Sequence, residues 1–314
     1  MRLVVLGSAA GGGFPQWNCR CPVCSLAWDG DPRVRRRTQT SVAVSADGER
    51  WALVNAAPEI LSQIQAVPAL HPRGSGRHTP VASVLLTNAD IDHVAGLLSL
   101  REAQPFSLHA TPAIHDVIGA NGVFDVLARG IVDRLPVAPG APFPLVDGVA
   151  AEIFPVPGKI ALYLERGEVE TAVEGEQTVG VELRDGRRRI LFIPGCALMT
   201  DALRARIDGA DAVLFDGTVW RDDEMIAAGV GAKTGRRMGH MAMSGADGSM
   251  AAFEGLRVGR KVYLHINNTN PVLIDGSPER RAAERAGWEI AEDGMEIGTE
   301  WSLQDDRIAL PAGT

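Results

Sequence analysis

Two short stretches of the chain carry the residue types that bind metal ions. Cys19, Cys21 and Cys24 form a C-x-C-x2-C cluster. Thiols this closely spaced need only a tight turn to converge on one ion, and zinc favours a tetrahedral shell of sulfur and nitrogen ligands. The bland alternative is three free thiols in a loop, but such density favours zinc. The fourth cysteine, Cys196, is isolated and reads as a buried apolar residue. This is not the even spread of a disulfide framework, so a reducing compartment is expected. A closed shell needs a fourth donor from elsewhere. The expected donor is His240, in Gly239-His240-Met241 just ahead of a helix, which makes the site structural Zn2+.

The second stretch runs from Leu85 to Leu97: an apolar strand, the polar cluster Asn88-Ala89-Asp90-Ile91-Asp92-His93, then small and apolar residues of a helix. Taken alone it reads as an acidic helix cap, with Asp90 or Asp92 as the capping residue. Two later segments place polar residues at strand ends: Leu214-Phe215-Asp216-Gly217-Thr218 and Leu264-His265-Ile266-Asn267-Asn268.

The elements that must position these residues alternate between strand and helix. Strands are expected at Arg2–Leu6, Gln39–Ser45, Trp51–Asn55, Ser83–Thr87, Ala150–Pro155, Val179–Leu183, Arg189–Ile193, Ala212–Phe215 and Lys261–Leu264. Asp47-Gly48 and Asp185-Gly186 read as hairpin turns. Helices are expected at Pro58–Gln65, Val94–Leu100, Thr111–Ile118, Met199–Ile207, Gly245–Leu256 and Pro278–Ala286. This order fits two sheets flanked by helices better than a doubly wound parallel sheet. Gly7-Ser8-Ala9-Ala10-Gly11-Gly12-Gly13 lacks the G-x-G-x-x-G spacing of a dinucleotide site, so the glycines are read as permissive backbone beside a pocket.

Composition narrows the function class. A net charge of −8 argues against nucleic acid as a partner. With 46% hydrophobic residues in 314, a sizeable core can form. No apolar run is long enough for a membrane span or a signal peptide, so the expected location is cytoplasmic.

The Asn88-x-Asp90-x-Asp92-His93 pattern, after a strand and opening a helix, resembles the H-x-H-x-D-H signature of the metallo-β-lactamase superfamily. Asp293-Gly294-Met295-Glu296-Ile297 has a counterpart in cysteine-cluster members of that superfamily, such as the carbon–phosphorus lyase phosphodiesterase. Combined with C-x-C-x2-C and the run Asn267-Asn268-Thr269-Asn270-Pro271, the pattern resembles the protein B family of pyrroloquinoline quinone (PQQ) biosynthesis. The resemblance implies an α/β fold, the αββα four-layer sandwich, as one domain over residues 1–314 with a zinc loop at about 14–37.

The departures from the superfamily are informative. Asn88 and Asp90 replace two ligand histidines, no histidine stands near Val156-Pro157-Gly158, and no bridging aspartate stands near Ile193-Pro194-Gly195. Two metals need about two ligand sets and a bridge, so one metal is expected. Asp92, His93 and His265 remain, with Asp90 or Asn88 as a further oxygen donor. Two imidazoles and a carboxylate are the ligand set of non-haem Fe2+ oxygenases, although Zn2+, Mn2+ or Cu2+ could occupy the site after purification. The family resemblance implies a precursor in which Glu and Tyr are cross-linked, molecular oxygen as co-substrate, and a homodimer. The expected reaction is hydroxylation of the tyrosine ring. A carrier taking PQQ or its precursor towards the periplasm is the main alternative, and residual hydrolysis a weaker one. Arg35 and Arg36 of the basic run, Arg236, and Asn267 are the expected substrate contacts; a solvated loop face is the bland reading of the run. His71 and His78 fall in a polar loop, and His109 and His115 read as surface or capping residues.

Overall fold

The apolar runs pair into two mixed sheets in the computed structural model of the chain, which describes residues 1–298. The first sheet contains, in chain order, β1 (Arg2–Gly7), β2 (Ser41–Ser45), β3 (Trp51–Val54), β4 (Val81–Leu85), β5 (Phe106–Ala110), β6 (Val132–Pro136) and β14 (Glu296–Ile297). The second contains β7 (Phe143–Val146), β8 (Val149–Pro155), β9 (Val179–Arg184), β10 (Arg189–Ile193), β11 (Ala212–Asp216), β12 (Arg260–Leu264) and β13 (Trp288–Ile290). Their spatial orders are β14-β1-β2-β3-β4-β5-β6 and β13-β12-β11-β10-β9-β8-β7. Each sheet is antiparallel at one end and parallel at the other, the parallel part being β3 to β6 in the first and β10 to β13 in the second. Both expected hairpins form, β2–β3 around Asp47-Gly48 and β9–β10 around Asp185-Gly186.

Strands buried on both faces read as continuous apolar runs, and every residue of β2, β3 and β11 is buried. One face of each sheet forms the shared core, where Val42, Val44 and Val54 meet Val181, Phe192 and Leu214. The outer face of the first sheet is covered by short helices, α2 (Ile60–Ala66), α3 (Ile91–Val94) and α4 (Pro112–Gly119). The second sheet is covered by α1 (Pro22–Trp28), α5 (Asp201–Ile207), α8 (Ser249–Ala252) and α9 (Pro278–Arg285), with α6 (Glu224–Ala227) and α7 (Gly235–Met238) in the loop beyond β11. This is the expected αββα sandwich. Burial of each large aliphatic side chain in these layers contributes about 1.5–3 kcal/mol. Truncating Phe192, which has no exposed surface, to Ala would cost about 3–5 kcal/mol.

The misses have local causes. β5, β6 and β7 carry polar, charged or proline residues that break the apolar run: FSLHA, VDRLP and FPLV. The helix expected at Gly245–Leu256 shrinks to α8, because Gly245 is left-handed (φ 94°) and Gly248 is the cap. Val94–Leu100 forms a 3-10 turn rather than an α-helix beyond Val94. His109 is not a surface residue: it is buried in β5 with its ring stacked on Phe143 at 5.1 Å.

Candidate metal centre

The chemistry-bearing residues gather where strands end. β4 runs into Asn88–His93, β10 into Gly195, β11 ends on Asp216, and β12 is followed at once by His265. Carboxyl ends of strands are where open α/β sheets build sites. The two sheets are tied together there, because Ala9 bridges both Gln39 and Ile266. The glycine-rich turn follows, with Gly11 and Gly12 on the wall of the cleft, as the permissive-backbone reading expects.

Asp92, His93 and His265 converge. Asp92 Oδ2 lies 3.1 Å from His265 Nε2 and 3.6 Å from His93 Nε2, and the three donor atoms are all within 4.8 Å of one another. The acidic-cap reading fails, since Asp90 precedes α3 without a side-chain cap bond. The orientation of His93 is set by Asn88. Asn88 Oδ1 accepts the Asp90 backbone N–H at 3.0 Å, so it is the carbonyl end, and at 2.7 Å it must also accept a proton from His93 Nδ1. The lone pair of His93 is therefore on Nε2, a buried atom with no hydrogen-bond partner among the described residues. Leaving such an atom unpaired costs about 1–3 kcal/mol. A cation between it and Asp92 would relieve that cost, so these residues fit a bound metal.

Their charge states suit the same purpose. Burial pushes His93 down to about 4, so its ring is neutral. Burial opposes ionisation of Asp92, but His93 and His265 override it and hold the carboxyl well below the usual range. Burial also opposes protonation of His265, yet the hydrogen bond and charge of Asp92 raise it. Binding a metal here would displace the proton of His265 Nε2. His265 adopts φ 56°, a left-handed backbone for a non-glycine residue, which costs about 1–2 kcal/mol and turns its ring back into the site.

A second layer holds the rings. The Thr218 hydroxyl is 2.7 Å from Asp216 Oδ1, 2.9 Å from His265 Nδ1 and 3.1 Å from His240 Nδ1. Asp216 only accepts when ionised, so Thr218 donates to it and accepts from His265 Nδ1, again leaving Nε2 facing Asp92. Asp216 Oδ2 accepts from the Cys196 amide at 2.8 Å and from His240 Nδ1 at 2.7 Å. Asp216, His240 and His265 also lie within ligand distance of one another. The Thr218 hydroxyl is within hydrogen-bond distance of all three, so the cluster forms a hydrogen-bonded hub behind the centre. The Asp216 and Thr218 roles have no sequence motif of their own; their position at the end of β11 was the available signal.

The cysteine cluster forms as expected, but without His240. Cys19, Cys21 and Cys24 converge in a buried turn, and the backbone amides of Cys21 and Cys24 each lie 3.4 Å from a preceding sulfur. The hydrogen bond from Cys21 favours the thiolate of Cys24 and opposes that of Cys21 itself. His240 is instead committed to Asp216, its ring stacked on His265 at 5.2 Å, because the loop after α7 returns it to the end of β11. The residue the fold brings to the sulfurs is Asn268, whose side-chain amide lies 3.2 Å from Cys19 Sγ and 3.3 Å from Cys24 Sγ. Its C-x-C-x2-C partners gave no hint of this in the sequence.

Comparison with known proteins bears on the whole arrangement. Residues 50–266 match the family model of the beta-lactamase superfamily domain. Coenzyme PQQ synthesis protein B of Methylobacterium nodulans is 58% identical over 297 residues, spanning 95% of this chain and 99% of that protein. The crystal structure of Zn2+-bound PqqB from Methylobacterium extorquens has a TM-score of 0.94 at 57% identity, over 95% of this chain and all of the other. The chain belongs to the coenzyme PQQ synthesis protein B family. A diphosphatase of the PhnP family shares the fold at a TM-score of 0.68 and 20% identity, over 95% of this chain and 97% of its own.

In this member of the PQQ synthesis protein B family, the centre opens into a cleft of about 430 Å³. Asn267 lines it, as expected of a substrate contact, although its side-chain amide is bonded to Thr269 at 2.6 Å. Asn88 and Asp90 also line it; Asn88 Oδ1 is engaged by His93, and Asp90 Oδ1 accepts from the Leu162 amide at 3.0 Å. Neither is in the converging set of Asp92, His93 and His265. The expected arginines are misplaced. Arg35 pairs with Glu292, Arg36 lies over the Trp28 ring at 5.1 Å, and Arg236 pairs with Asp247; all three are exposed and none borders the cleft. The cations that do border it are Lys159 and Lys233.

Proposed function

We propose that this chain acts in PQQ synthesis as a metal-dependent hydroxylase of the tyrosine-derived ring of a cross-linked Glu–Tyr precursor. The observation that carries the reading is the buried, unpartnered Nε2 of His93, held against Asp92 and His265 by residues that fix both tautomers. A pure carrier would have no need to keep Asp92, His93 and His265 together, unless the ion is structural. Asn88 and Asp90 stand at two of the superfamily's histidine positions, with no histidine near Val156-Pro157-Gly158 and no bridging aspartate near Ile193-Pro194-Gly195, which supports one ion with open positions over a hydrolytic pair.

When bound, a redox-active ion such as Fe2+ supplies one-electron chemistry with molecular oxygen that no side chain offers. In balance, one oxygen atom enters the ring C–H bond and the other leaves as water, with two electrons and two protons from an external reductant. The residues of the chain position the substrate. Ile91, Leu162, Met225 and Met238 line the cleft and offer apolar contact to a ring. His240 lines the cleft, and with its Nδ1 hydrogen-bonded to Asp216 Oδ2, Nε2 is the nitrogen that would accept the phenolic proton.

Zinc held by Cys19, Cys21 and Cys24 would have a structural part. The sulfurs pack on Asn268, three residues beyond His265, so the cluster braces the loop that presents a ligand. The test is a pair of variants. His93→Ala and His265→Ala should each bind the Glu–Tyr product while losing oxygen insertion and Fe2+ binding. Wild-type rates from both, after iron loading, would remove the proposed catalytic site and leave the carrier reading.

A further inference from the structure

Beside the centre lies a concentration of positive charge that the ligand set does not use. Glu165 follows the 3-10 turn Leu162–Leu164 and receives three cations, Lys159 from the loop after β8 and Lys233 and Arg237 from the segment that leads into and forms α7. Its carboxylate lies 2.9 Å from Lys159 Nζ, 3.0 Å from Arg237 Nη2 and 3.6 Å from Lys233 Nζ. Three cations on one carboxylate leave a surplus of two positive charges in a chain whose net charge is −8. Two of the three, Lys159 and Lys233, line the same cleft as His93 and His265. The third, Arg237, keeps a buried Nη1 without a partner among the described residues.

We propose that Lys159, Lys233 and Arg237 form a carboxylate-binding subsite that holds the acidic groups of the substrate while its ring lies over the centre. The identity of the acid rests on the hydroxylase reading above; the charge arrangement does not. The remaining charged groups on the cleft explain why such a subsite is needed. Asp90 and Asp92 line it and would repel an anion that approached the ligands without compensation. Glu165 is held as the carboxylate: burial opposes this, but Arg237, Lys159 and Lys233 outweigh it and bring it to about 2. Lys159 is also placed deliberately by the backbone. Gly239 is left-handed (φ 90°), a conformation that favours glycine, and a Cβ there would stand 3.2 Å from Lys159 Cγ, so the lysine stem packs on the bare backbone at this turn. Lysine and arginine differ in what they offer, the arginine a planar fork and the lysines movable point charges, and the pair of types suits a ligand with more than one carboxylate. Substrate carboxylates would compete with Glu165 for these donors.

The rival explanation is a staple that merely ties the loop after β8 to α7. The two differ in sign when Glu165 is neutralised. The probes are the cross-linked Glu–Tyr triacid and its trimethyl ester, titrated calorimetrically into zinc-loaded protein. A subsite predicts that Lys159→Met/Lys233→Met weakens triacid binding at least tenfold and leaves ester binding unchanged. It also predicts that Glu165→Gln binds the triacid as tightly as wild type or more tightly, and that added salt weakens the triacid alone. The proposal is overturned if the wild type binds triacid and triester alike, if the lysine variant binds the triacid like wild type, or if Glu165→Gln weakens it as much as the lysine change. Should the lysine variant not fold, the Glu165→Gln titration and the salt series on wild type decide by the same signs. Intact triacid binding with no oxygen insertion by the iron-loaded wild type would count against the hydroxylase reading and not against the subsite.

Discussion

Replacing Thr218 with Val tests the second layer without touching a ligand. The two side chains have nearly the same shape, so the change removes one hydroxyl and little else. That hydroxyl contacts Asp216 Oδ1 at 2.7 Å, His265 Nδ1 at 2.9 Å and His240 Nδ1 at 3.1 Å. Asp216 Oδ1 keeps the Thr218 amide at 3.0 Å, and His240 keeps Asp216 Oδ2, so the groups that lose a partner are His265 Nδ1 and the His265 carbonyl, 3.0 Å from the hydroxyl. An unsatisfied buried donor costs about 1–3 kcal/mol, and the weakened charge-assisted bond to Asp216 adds about 1 kcal/mol. The expected loss of stability is about 2–4 kcal/mol, read from urea denaturation. The expected loss of affinity for the ion at the Asp92 centre is about 10–100-fold, read by chelator competition, because supporting hydrogen bonds of this kind orient metal-binding histidines. Thr218→Ser should recover most of both. Unchanged ion affinity in Thr218→Val would refute the claim that this hydroxyl sets the His265 tautomer.

Glu224 is buried between the Thr269 hydroxyl and the Trp220 amide, each at 2.6 Å, and burial raises it from 4.5 to about 7. Its folded value lies above its unfolded one, so its contribution to stability is greatest below about pH 4.5 and declines as the pH rises to about 7. Glu224→Gln should flatten that decline, gaining up to about 3 kcal/mol on wild type between pH 5 and pH 8 in denaturant titrations; parallel pH profiles would contradict this. Cys21→Ser should lower zinc content by one equivalent without removing the ion at Asp92, His93 and His265, as measured by metal analysis; a full complement of zinc would show that the cysteines do not hold it.

Much of the fold was legible because its central strands are unbroken apolar runs, as in Arg189–Ile193, where the expected and observed bounds coincide. Edge strands such as β6 were not, since a sheet edge tolerates the Asp133 and Arg134 that disguise it. In the site, Asp92, His93 and His265 were readable from motif position. The fourth zinc donor was misread because sequence order does not reveal that the loop carrying His240 folds back onto Asp216. The arginine run misled for a related reason: charge alone cannot distinguish the exposed Arg35 and Arg36 from a lysine such as Lys159, isolated in sequence yet brought to the cleft by the loop after β8. Asn88 looked like a degraded ligand and is better described as the group that aims one.

The central claim is tested most directly by loading the protein with Fe2+ without air, adding the cross-linked Glu–Tyr product and a reductant, then admitting isotopically labelled oxygen gas and following product mass. The account predicts mass gains in steps of one labelled oxygen atom, abolished in His265→Ala. Substrate bound and released with no labelled oxygen incorporated, by a protein shown to hold iron at Asp92, His93 and His265, would contradict it.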